Sequence, residues 1–113
     1  MRTLICWLAA ALLLSGCGKS GTGSVPPPVE VRITLAGGRA EPNGRRVDLV
    51  RGQHLVLTVT SDRADQVHVH GFDAEIEVEP GVTTSAEIVM DKVGRFEVES
   101  HDPVFTLLVL QVR

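Results

Sequence analysis

Three histidines are placed where they could do chemistry. His68 and His70 stand two residues apart in Val67-His68-Val69-His70-Gly71-Phe72-Asp73, and His101 opens the loop Ser100-His101-Asp102-Pro103. In a strand, residues two apart share a face. If Phe72 points into the core, the same parity turns His68 and His70 inward beside it, near the end of a sheet. His101 would reach that end from its own loop. Three neutral imidazoles meeting there would suit Cu(II), or zinc with an open position. Asp102 is a weaker oxygen donor. Glu99 is weaker still, because parity puts it with Glu97 on the outer face. The alternative reading has no metal. His68 and His70 are then core-edge residues bonded to loop carbonyls, and Asp102 holds nearby amides in a turn. His54 opens a different strand and reads as a surface histidine.

Strands must position these side chains, because no stretch has a helical period. Val29-Glu30-Val31-Arg32-Ile33-Thr34-Leu35 alternates apolar and polar residues, as a half-buried strand does. Further strands read at 46–50, 54–60, 67–72, 74–78, 84–90 and 95–100. Gly37-Gly38, Pro42-Asn43-Gly44, Arg51-Gly52-Gln53, Pro80-Gly81 and Val93-Gly94 turn the chain between them. The run from Val104 to Val112 is apolar on both faces except at Thr106 and Gln111, which marks a central strand. Seven or eight short strands with regular turns predict an all-β Greek-key β-sandwich. Met90 belongs to its core. Asp73, Glu75, Glu77 and Glu79 alternate along a solvated sheet face.

The start of the chain has a different character. In Met1 to Cys17, Arg2 precedes an apolar run from Leu4 to Leu14, and the small residues Ser15 and Gly16 precede Cys17. This is the layout of a secretory signal, too short to span a bilayer as a mature helix. Leu14-Ser15-Gly16-Cys17 resembles the bacterial lipobox. That resemblance implies removal of residues 1–16, diacylglycerol on the Cys17 sulfur and an acyl chain such as palmitate on its amine. More than one chain makes a stable anchor, at about 0.8 kcal/mol per buried methylene. Cys6 leaves with the signal, so the mature chain has no free thiol and no disulfide. Residues 17–28, with Gly18 to Ser24 and Pro26-Pro27-Pro28, read as a linker that lifts the domain of residues 29–113 off the membrane.

Within residues 29–113 the order of pieces resembles a cupredoxin, the copper-holding sandwich of plastocyanin-like proteins and of cytochrome oxidase. Gly52-Gln53 is similar to the turn that opens the family's middle strands. His68 followed by Phe72-Asp73 is similar to the strand bearing its first histidine ligand. Gly94-Arg95-Phe96-Glu97-Val98-Glu99-Ser100-His101 is similar to the strand entering its copper loop. The resemblance implies a copper-type ion held by His68, His70 and His101. It also places a cysteine where Ser100 stands, and a methionine after His101 where none occurs. A blue-copper electron carrier, which needs the thiolate, is therefore excluded.

Composition narrows the rest. The formal net charge is −3 for the whole chain. It becomes −4 from Cys17 onward, because Arg2 is the one charged residue before it. The basic residues are dispersed, so a nucleic-acid footprint is absent. No phosphate loop, Gly-x-Ser-x-Gly elbow or zincin helix occurs, and no enzyme is expected. Two functions stay open. One is a lipid-anchored extracytoplasmic domain handling a copper-type ion at the cell surface. The other is a metal-free interaction or structural module with an envelope protein partner. Either would sit on the cell membrane or outer membrane.

Overall fold

Alternating apolar residues leave each segment one face to bury, and two sheets packed face to face bury all of them together. The computed structural model describes Gly16, Gly18 and residues 23–113. Cys17, Cys6 and the remainder of the signal and Gly/Ser stretch lie outside the described residues. Nine strands form: β1 (Val29–Ala36), β2 (Arg39–Glu41), β3 (Arg45–Leu49), β4 (His54–Ser61), β5 (Asp65–Val69), β6 (Ala74–Val78), β7 (Thr84–Val89), β8 (Gly94–Ser100) and β9 (Thr106–Val112). One sheet has the order β2-β1-β4-β7 and the other β3-β9-β8-β5-β6. The chain passes repeatedly from one sheet to the other, so β1 pairs in parallel with β4, and β3 with β9. The architecture is the all-β sandwich expected from sequence, and β9 is interior to its sheet as its apolar run requires.

The core is made by the inward row of each strand. Leu55, Leu57 and Val59 from β4 meet Val67, Val69, Val98, Leu108 and Leu110 from the facing sheet, all fully buried. Met90 is buried among them. Every buried side-chain polar atom among the described residues has a hydrogen-bond partner.

Two elements differ from the sequence reading. The ninth strand is β2, three residues paired antiparallel to β1 across the Gly37-Gly38 turn. Three residues are too few to show a period. The second difference reaches the site. The strand read as 67–72 starts earlier, at Asp65, and stops at Val69. His70 to Asp73 form a turn, with Gly71 at φ 86° and Asp73 at φ 49°.

The two ends of the sandwich are distinct. At one end the Arg113 amide donates to the Leu49 carbonyl, and the Gly52 amide to that of Met90. Buried Gln53 sits there and bonds twice: its Oε1 accepts from the Val50 amide at 3.0 Å, and its Nε2 donates to the Pro27 carbonyl at 2.7 Å. The proline stretch therefore lies against the sandwich at this tether end. Asp48 is close by, and hydrogen bonds from Arg46 and then Arg113 hold its carboxyl below the usual carboxylate range. We expect Gln53→Ala to destabilise the domain by about 1–2 kcal/mol, the worth of two part-buried hydrogen bonds. It should also expose residues 25–28 to protease. Unchanged protection of that segment would show that the Gln53 bond does not hold it.

Candidate functional site

β8 runs from Gly94 at the tether end to Ser100 at the opposite, loop end, where β5 begins with Asp65. Strand parity decides what each residue faces. Asp65, Val67 and Val69 are buried toward the core, while Gln66, His68 and His70 are half-buried on the outer face. The expected inward pair of imidazoles is thus corrected: His68 and His70 face out of the five-stranded sheet. Phe72 does pack against the core, but it lies beyond the turn at 70–73, and parity does not carry through a turn. It meets Phe96 edge-on at 4.7 Å.

The outer face still gathers chemistry. The His68 and His70 ring centroids lie 4.3 Å apart with planes tilted 48°. His70 Nε2 lies 2.8 Å from Glu99 Oε2. In the register Glu99 stands across from His68 on one side, and Glu75 on the other. Glu99, ranked last from sequence, is therefore the carboxylate that bonds one of the paired imidazoles. His101 lines the same open cavity of about 310 Å³ with His68, His70, Glu75, Glu99 and Val104. Asp102 is absent from that lining. Its amide and the amide of His101 each donate to Asp65 Oδ1 at 3.0 Å. Among the described residues no three His, Cys, Asp or Glu side chains are gathered closely enough to hold one ion. His54 is on the other sheet, paired with Glu87.

The inner side of the loop end is organised by Asp65, to which the sequence reading gives no role, and by Ser100, which that reading notes only as standing in place of a cysteine. The Asp65 side chain is completely buried. Its Oδ1 also accepts the Gln66 amide at 2.7 Å, and its Oδ2 accepts Arg63 at 3.3 Å. Arg63 Nε donates in turn to the Asp102 carbonyl at 2.7 Å. Ser100 is the second. Its Oγ donates to the Pro103 carbonyl at 2.8 Å and accepts from the Phe105 amide at 3.0 Å. Counting parity outward from Val67 and Val69 would have placed Asp65 indoors from sequence alone.

In shape the chain is similar to copper proteins. A chain of a heme-copper terminal oxidase dimer superposes with TM-score 0.55 at 18% identity, covering 74% of this chain and 64% of that one. Copper nitrite reductase from Nitrosomonas europaea gives TM-score 0.58 at 13% identity, over 76% and 42%. A multi-copper oxidase from Pseudomonas thermotolerans gives 0.59 at 16%, over 80% and 30%. The chain spans less than two thirds of each of these chains. No family model and no curated protein matches the sequence. The likeness is one of fold: the domain is a cupredoxin-like sandwich, a copper-associated architecture.

The residues at the loop end do not fit the copper centre that this fold implies. Ser100, which stands where the resemblance places the thiolate, is a poor ligand, and its Oγ already donates to the Pro103 carbonyl and accepts the Phe105 amide. The carboxylate of Asp65 is saturated by three amides and a guanidinium. Among the described residues no imidazole is buried on the core side, and no buried side-chain polar atom is left without a partner.

Proposed function

We propose that this protein is a lipid-anchored, extracytoplasmic cupredoxin-like domain that serves as an interaction module of the cell envelope. Its inherited metal end is closed by its own hydrogen bonds. The single observation behind this reading is the Asp65 carboxylate. It holds the amides of His101 and Asp102, so a protein group organises the loop that a bound ion would otherwise order. Membrane attachment is supported by Leu14-Ser15-Gly16-Cys17. The tether leaves the sandwich at the end opposite this loop, so the loop end points away from the lipid and toward a protein partner. Surface metal handling is a second reading, favoured by the close approach of the His68 and His70 rings.

The test uses protein purified in detergent from its own export route. Dialysis against EDTA should leave far less than one copper per chain and the melting temperature unmoved. Cys17→Ser should shift the protein from the membrane to the soluble fraction. Stoichiometric copper that survives the chelator would overturn the closed-end reading. A Cys17→Ser protein still in the membrane would overturn the anchor.

A further inference from the structure

We propose that the outer face of the five-stranded sheet carries an exchangeable divalent-cation site, chelated by His68 and His70 with Glu99 as the third donor. The inference is independent of the closed loop end, because these side chains point to the other side of the sheet.

Rigidity is the first argument. β5 is flanked by β6 and β8, so its backbone is held by ladders on both edges. His68 is on that strand, His70 is the first residue past it with its amide held by the Glu97 carbonyl, and the two ring centroids stand 4.3 Å apart. An ion held beside the pair would pay little of the ordering cost that two separate side chains incur.

The electrostatic setting is the second argument. Glu75 and Glu99 flank His68 across the two ladders. Glu97 lies on the same face of β8, where its backbone carbonyl accepts the His70 amide. These carboxylates bring negative charge to the side of the sheet where a cation would sit. At present Glu99 occupies the Nε2 side of His70. Binding requires the Glu99 carboxylate to swing from that nitrogen onto the ion. Among the described residues no three-donor cluster stands ready, so the third donor has to be drawn in by the ion itself.

Donor chemistry selects the cation. Two imidazole nitrogens and one carboxylate suit borderline transition metals, with Cu(II) tightest by the ordinary affinity series and Zn(II) after it. Mg(II) and Ca(II) prefer oxygen sets and have no purchase here. The site is open to solvent, which makes the ion exchangeable, unlike a buried structural metal.

Titration of the EDTA-treated protein in detergent with Cu(II), and separately with Zn(II), tests the proposal. Histidine ring resonances identify the ligands and calorimetry gives the affinity. The His68 and His70 signals should broaden first with Cu(II), while His54, with its single carboxylate partner, serves as internal control. His68→Ala and His70→Ala should each weaken binding by at least about tenfold, and Glu99→Gln by several-fold, in line with losses of metal ligands and their supporting groups. These side chains are on a solvated face, and circular dichroism with melting confirms that each variant folds. Equal broadening of His54, or affinity unchanged in both His→Ala variants, would overturn the site. A tenfold loss in His101→Ala, with Glu99→Gln unaffected, would overturn the assignment of Glu99.

Discussion

Asp65→Ala is expected to destabilise the domain by about 3–5 kcal/mol, a loss comparable to removing one partner of a buried charged network. The carboxylate is completely buried, and its Oδ1 alone accepts the amides of Gln66, His101 and Asp102. A buried donor left without a partner costs about 1–3 kcal/mol. His101 and Asp102 are themselves exposed, so water will recover part of that cost. Arg63 also loses its contact with Oδ2. In a domain of this size the loss corresponds to a fall of more than about 12 °C in melting temperature. Asp65→Asn separates the two roles of the carboxylate. An amide oxygen can still accept all three amides, while its NH2 faces the Arg63 guanidinium in place of Oδ2. We expect a cost of about 1–2 kcal/mol there, mostly the lost charge-assisted bond. Thermal melts of both variants decide the matter. A fall in Asp65→Ala no larger than in Asp65→Asn would mean that Oδ1 does not organise the loop.

Asp65 also shows where sequence reasoning reached its limit. The sheets themselves were legible, because alternation in 29–35, 54–60 and 95–100 is a direct consequence of burying one face. Those segments fold as the pattern requires. The loop end was legible only as a place. Which face each residue took depended on a parity count, and the count for β5 was anchored on Phe72, beyond Gly71. Anchored instead on Val67 and Val69, it puts Asp65 inward and both histidines outward, as the structure has them. Either count keeps the two rings on one face, while their 4.3 Å approach comes from the side-chain conformations. The Glu99 contact is harder to read, because it depends on the register in which β5 pairs with β8, which sets His68 across from Glu99. No local pattern in either strand specifies that pairing.

The same turn that misled the parity count carries the second large effect. Gly71→Ala should cost about 2–4 kcal/mol, the sum of overpacking and a left-handed backbone imposed on alanine. Gly71 has φ 86°, and a Cβ there would stand 2.5 Å from Phe96 Cδ1 and 2.6 Å from Cε1. Phe96 cannot simply swing aside. Its ring packs edge-on against Phe72, with which it joins the core. On the outer side of Phe72, Lys92 bonds the Gly71 carbonyl and holds its ammonium 5.6 Å from the Phe72 ring centre. The clash and the backbone strain are separable. In a Phe96→Ala background the steric term disappears, and Gly71→Ala should then cost only about 1 kcal/mol, the backbone part. The double-mutant cycle made from these variants should therefore show a coupling of at least about 1 kcal/mol, with the pair less damaging than the two single effects added. Strict additivity would mean that the ring and the turn do not constrain one another. The coupling also bears on the imidazole pair. His70 is the residue immediately before Gly71, so its outward direction depends on a turn that only glycine fits against that aromatic ring.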